Sequence, residues 1–160
     1  MNREPTFELA DAHRHFSADC FNRAWDLIEK QNRTPEEDLR MVALSHASLF
    51  HWMNRADVTA RNLSIGYWQA SRVLALVGQP AAALWLAQAS VRHADGLDPF
   101  YKGYGLEATA RAMVGLGRLA EAREVLATAR ALAAQTADVE GRSRLEHDLA
   151  ALESLAGSAG

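Results

Sequence analysis

Cysteine is almost missing from this chain: Cys20 stands alone among 160 residues. A single thiol excludes an intrachain disulfide and fits a reducing compartment. Proline is scarce too, with 4 residues, so few positions forbid helix. Basic residues do not exceed acidic ones: 17 stand against 20, a net charge of -3. The imbalance is mild and unclustered, since residues 1–60 hold 10 acidic and 7 basic groups while 61–160 hold 10 of each. Proteins that grip nucleic acid concentrate a basic excess on one face, so no nucleic-acid partner is expected. No apolar run approaches the ~20 residues that span a bilayer. The opening stretch Met1–Glu8 has no basic segment followed by an apolar core, so no signal peptide is expected either. Nor do apolar and polar residues alternate over the length of a strand. These absences leave a soluble, cytoplasmic, all-α chain as the expectation.

What the sequence has is alanine, 31 residues of it, the strongest helix former. The length suits one domain with a real core. Between Tyr67 and Ala134 one local pattern is written twice. Arg72-Val-Leu-Ala-Leu-Val-Gly78-Gln-Pro-Ala-Ala-Ala83 returns as Arg111-Ala-Met-Val-Gly-Leu-Gly117-Arg-Leu-Ala-Glu-Ala122, at a constant offset of 39 residues. Each copy reads as helix, glycine turn, helix. Such a unit cannot bury its apolar side alone and must stack on neighbours.

Seven helices are expected. The first covers about residues 6–30, started by Pro5 and Glu8, with Phe16, Cys20, Ala24 and Leu27 as its apolar stripe. Asn22 and Asp26 fall on another line of that helix. The second opens at Thr34-Pro-Glu-Glu37 with the signals of a capping box and runs to about Asn54. Its main stripe is Leu39, Val42, Leu49 and Met53, and His46 lies inside it, so His46 is expected to be buried and hydrogen-bonded to the first helix. Asp57 is a candidate cap for the third helix, about 61–77. Further helices follow at about 80–94, 99–115, 118–135 and 138–155. The division is an N-terminal pair (1–60), two hairpins (61–136), a capping helix (137–156) and a frayed tail (157–160).

The doubled pattern resembles the tetratricopeptide repeat over roughly residues 64–134. Aligning Gly78 and Gly117 with the glycine between that family's two helices puts Ser71 and Ala110, Ala83 and Ala122, and Ser90 and Ala129 at its small-residue positions. The period is longer than the family's ~34 residues, and Asp95 and Ala134 stand where its closing proline would be. The N-terminal half also resembles uncharacterised bacterial proteins of similar length, a likeness that implies no activity. The tetratricopeptide resemblance implies antiparallel helices in a right-handed superhelical stack whose first helices line a concave groove. Carried over, those positions are Trp68 and Arg72 on the third helix, Tyr104, Glu107 and Arg111 on the fifth, and Asn22 and Asp26 on the first.

Chemistry beyond binding finds little footing. His46 and His51 lie five residues apart, about 140° around a helix, and His13 and His15 about 200°, so neither pair chelates one metal from a regular helix. Cys20 sits in an apolar stripe, no nucleophile elbow exists, and Gly103-Tyr-Gly105 opens no phosphate loop. No catalytic residue, metal or cofactor is expected. The leading expectation is a non-catalytic module that binds a protein or peptide through an acidic segment. Arg72 would be its stronger anion contact, because Glu107 partly neutralises Arg111 four residues on. Reversing that charge, Arg72→Glu, is expected to abolish binding with little change in melting temperature. A second reading places a small-molecule or metal pocket between the N-terminal helices and the repeats, around Trp25, His46, His51 and Arg72. A third is self-association as a homodimer through the ends of a short stack.

Overall fold

The computed structural model describes residues 6–158, which form seven α-helices and no strand. They are α1 (Leu9–Glu29), α2 (Pro35–Met53), α3 (Ala60–Leu76), α4 (Pro80–His93), α5 (Pro99–Gly115), α6 (Leu119–Gln135) and α7 (Val139–Gly157). Consecutive helices pack on one another, and α5 also touches both α3 and α7. Among the described residues no helix is long and apolar enough to cross a membrane. Pro5, expected at the start of α1, and residues 159–160 of the expected tail lie outside the described residues.

Local chemistry sets the helix ends. Thr34 and Glu37 form the reciprocal capping box, with Pro35 in the first turn. Thr59 and Asn62 form a second one for α3. Asp57, expected as that cap, is held instead by Arg55, whose Nε and Nη2 reach its two carboxylate oxygens at 2.8 and 2.7 Å. Gly78 and Gly117 both adopt positive φ, 75° and 73°, which L side chains rarely tolerate. That turn closes both copies alike: Gln79 N donates to Leu74 O at 2.8 Å, and Arg118 N to Met113 O at 2.9 Å. These bonds satisfy carbonyls that a helix end leaves open.

The small residues of the doubled pattern are where the helices meet. Ser71, Ala83, Ser90, Ala110, Ala122 and Ala129 are all buried. Ser71 Oγ donates to Ala83 O at 2.8 Å, and Ser90 Oγ to Ser64 O at 2.8 Å, tying α3 to α4. Gly105 serves the next contact. A Cβ there would stand 2.9 Å from Val91 Cγ2 and 3.1 Å from its backbone nitrogen, so a side chain at this position would push α4 and α5 apart. Leu126, Leu145, Leu149 and Leu152 fill the core between α6 and α7, around Ala110, Ala129 and Ala133.

The N-terminal pair departs from expectation. The inner face of α2 is Met41, Ser45, Ser48 and Leu49; Leu39 is 72% exposed and Met53 45%. His46 is exposed, its Nδ1 2.9 Å from Val42 O of its own helix, so the buried contact to the first helix does not form. On α1 the buried line is Ser17, Cys20 and Ala24, and Phe16 faces outward. The cause is close approach: Ser48 Oγ donates to Ser17 O at 2.7 Å, a contact that larger side chains would prevent. α2 is apolar nearly all round, so hydrophobicity left its phase open and small residues decided it.

Candidate functional site

A half-open cavity of about 450 Å³ lies where α1, α3, α5 and α7 converge, with Ser90 of α4 at its floor. α1 contributes Phe21, Asn22 and Trp25, and α3 contributes Ser64, Ile65, Trp68 and Arg72. Phe100, Tyr101 and Tyr104 come from α5, Arg144 and Asp148 from α7. The hydroxyls of Ser64 and Ser90 are engaged with each other's backbones. The open chemistry of the wall is therefore aromatic and cationic.

The rings form a continuous chain. Trp25 and Trp68 lie 5.6 Å apart, Trp68 and Tyr104 meet edge to face at 5.3 Å, and Phe100 meets Tyr104 at 5.0 Å. Gln69 Nε2 donates to Phe21 O at 3.0 Å and pins α1 against α3, which keeps Trp25 beside Trp68. At the far end Tyr104 OH donates to Asp148 Oδ2 at 3.1 Å. Burial, with the Asp148 carboxylate second, pushes the Tyr104 phenol well above its usual range, so it stays a neutral donor.

Behind Trp68 sits Glu107, 0% exposed. Arg111 reaches one of its oxygens with both Nε and Nη2, and Trp68 Nε1 donates to the other at 3.3 Å. Arg72 lies across Trp68, its guanidinium carbon 5.9 Å from the ring centre, with Nη1 3.9 Å from Glu107. One buried carboxylate thus faces two guanidinium groups, and the triad keeps one positive charge. Among the described residues, Arg72 Nε is the one buried side-chain nitrogen or oxygen without a hydrogen-bond partner.

The residues expected at the site divide. Trp68, Arg72, Tyr104 and Asn22 line the cavity, and so does Trp25, which the second reading had placed in a separate pocket. Glu107 and Arg111 support Arg72 from behind rather than lining the space. Asp26 is exposed on α1 and is not part of the wall. His46 is on the outer side of α2. His51 is half-buried against α1, its Nδ1 2.9 Å from Nδ1 of His13. Among the described residues no group of three His, Cys, Asp or Glu side chains is placed to hold a metal ion. Cys20 is buried, and burial pushes its thiol up, followed by the charge of Asp19, which disfavours thiolate chemistry.

Sequence reasoning did not single out Phe21, Phe100, Tyr101, Arg144 or Asp148. The offset of 39 carries Tyr104 onto Ser143, not onto Arg144 or Asp148, so α7 departs from the register of the copies. Arg144 and Asp148 do stand four apart on one helix face, which was the available signal.

No protein-family model matches the chain, and neither a curated protein nor a solved structure matches it.

Proposed function

We propose that this chain is a non-catalytic binding module whose cavity takes an acidic segment of a partner protein or peptide. In this reading α1, α3, α5 and α7 are the inner helices of an antiparallel, right-handed stack of the tetratricopeptide kind. The hydrogen bonds that pair residue 71 with 83 and 64 with 90 support the antiparallel hairpin. The Trp68–Glu107 bond, which joins equivalent positions of neighbouring copies, supports α3 and α5 lying side by side in the same direction.

The observation that carries the functional reading is the meeting of an aromatic wall with a guanidinium group whose charge is only partly matched. Such a wall buries apolar ligand surface at low entropic cost, and arginine beside it fixes an acidic group. The volume lies within the range of ordinary ligand pockets. Walls on both flanks, α1 at one and α7 at the other, also suit a small molecule as the occupant of this space.

Selection of displayed short random peptides against the folded chain tests the proposal, with Asn22→Trp as the counter-target. Asn22 is exposed on α1 and lines the cavity, so an indole there fills space without disturbing the core. Peptides with an acidic and an apolar residue are expected to enrich on the parent and to fail on Asn22→Trp at equal helicity. Equal enrichment on both, or none, overturns the cavity as the site.

A further inference from the structure

We infer that the ligand of this cavity presents a carboxylate next to a planar ring, the carboxylate on the Nε–Nη2 edge of Arg72 and the ring on the Trp25–Trp68–Tyr104 wall; this rests on the cavity being a ligand site.

Four arginines of the same molecule grip a carboxylate by the Nε–Nη2 edge, while Arg23 reaches Asp19 through Nη1 at 3.3 Å. Arg55, Arg118 and Arg130 each place Nε on one carboxylate oxygen and Nη2 on the other, in Asp57, Glu121 and Glu153. Arg111 applies the same edge to Glu107. Arg72, unlike those four, turns Nη1 toward its carboxylate, and only at 3.9 Å. Its Nε is buried without an acceptor. A buried charged donor left unpaired is costly, and the Arg72 side chain, 21% exposed and part of the cavity wall, removes that cost by turning its Nε–Nη2 edge onto an acceptor that arrives there.

Charge and shape narrow the acceptor. Arg72, Arg111 and Glu107 together leave one positive charge. The other charged groups of the wall are Arg144, already paired with exposed Glu140 at 2.8 Å, and Asp148. A monoanion matches that balance, whereas a doubly charged phosphate would face Glu107 and Asp148 with a single excess cation. The planar guanidinium fork fits a planar carboxylate. Beside it, Trp68 and Tyr104 already meet edge to face, and a flat ring extends that packing.

Two sources supply this chemistry: a free aromatic acid, or a polypeptide ending in an aromatic residue with its terminal carboxylate. Calorimetric titration of the full chain distinguishes them. The probes are 2-naphthoate, its neutral isostere 2-naphthamide, the ring-free hexanoate, and a short peptide ending in tryptophan as free acid or as amide. The expected result is saturable binding of 2-naphthoate, with the amide and hexanoate each at least ~10-fold weaker, because one lacks the charge-assisted pair and the other the ring. Arg72→Lys keeps a cation beside Glu107 but loses the fork, and ~10-fold weaker binding of the acid is expected. If the free-acid peptide binds and naphthoate does not, the source is a chain end; the reverse selects the free acid.

Equal affinity for the acid and the amide overturns the carboxylate assignment while the cavity reading survives through its own peptide selection. So does unchanged binding to Arg72→Lys. No binding of either carboxylate up to about 1 mM, a very weak interaction by energy, overturns the inference outright. The acid–amide comparison uses the unmodified chain, so it decides even if an arginine variant fails to fold.

Discussion

Arg72 and Arg111 occupy the same position in two copies of one pattern, yet their guanidinium groups are engaged differently. Arg111 holds buried Glu107 with Nε and Nη2; Arg72 keeps its Nε–H without a partner. The difference comes from one earlier turn of each helix, where the first copy has Trp68 and the second has Glu107. Repetition supplies the scaffold, and the departure from repetition supplies the site. Glu107 completes Arg111 and leaves Arg72 beside an indole.

Removing the shared carboxylate should break the comparison most severely. Glu107→Ala leaves two guanidinium groups and the Trp68 N–H without their acceptor, and a loss of ~3–5 kcal/mol is expected, as for a buried pair broken on one side. Urea unfolding measures it. Arg111→Met should cost more than Arg72→Met, by ~1–3 kcal/mol, because it removes the two hydrogen bonds Glu107 accepts from Arg111. Equal losses would make the two arginines equivalent after all. The same geometry revises the expectation that Arg72→Glu is thermally silent. A second carboxylate would face Glu107, itself 0% exposed, and like charges at that distance repel.

The scaffold common to both copies gives a paired effect. Ala83→Leu and Ala122→Leu each insert bulk where both alanines are fully buried, and ~1–3 kcal/mol of destabilisation is expected for each. A neutral melting temperature in either variant would remove the equivalence of the two hairpins.

Much of that scaffold was legible from residues alone. Gly78 and Gly117, the recurring small residues and the Thr34–Glu37 capping box could be read directly, because each answers a local steric or hydrogen-bonding demand. The phase of α2 was not legible. Leu39, Val42, Leu49 and Met53 made the stronger stripe, but Ser48 makes the close approach to Ser17 on α1. Burial of serines against serines carries no hydrophobic signal. For the site, Trp68, Arg72, Tyr104, Asn22 and Trp25 could be named from helical register. Their union in one cavity could not, since it depends on Gln69 reaching the backbone of Phe21 on α1.

The smallest expected effect separates the N-terminal pair from the repeats by pH. His51 is held below the ordinary histidine range, first by burial and then by the charge of His13. Their Nδ1 atoms share one hydrogen bond, so one ring must accept and the two cannot both be protonated there. The unfolded chain therefore takes up the proton first. Stability present in full above the ordinary histidine value of about 6.5 should decline as pH falls below it, and level off below the lower folded value. Asp57, held near 2 by Arg55 against an ordinary 3.8, acts lower, where its contribution is lost between those two values. Urea midpoints in His51→Asn should therefore lose the decline that sets in below about 6.5. An unchanged slope would assign the effect elsewhere.

The most direct test of the contrast between the two arginines is the side-chain Nε–H signals in a ¹H–¹⁵N spectrum during titration with 2-naphthoate. The Arg72 signal should move saturably, while that of Arg111, already committed to Glu107, should stay in place. Movement of Arg111 with Arg72 fixed, or no movement of either under saturating ligand, would contradict the account.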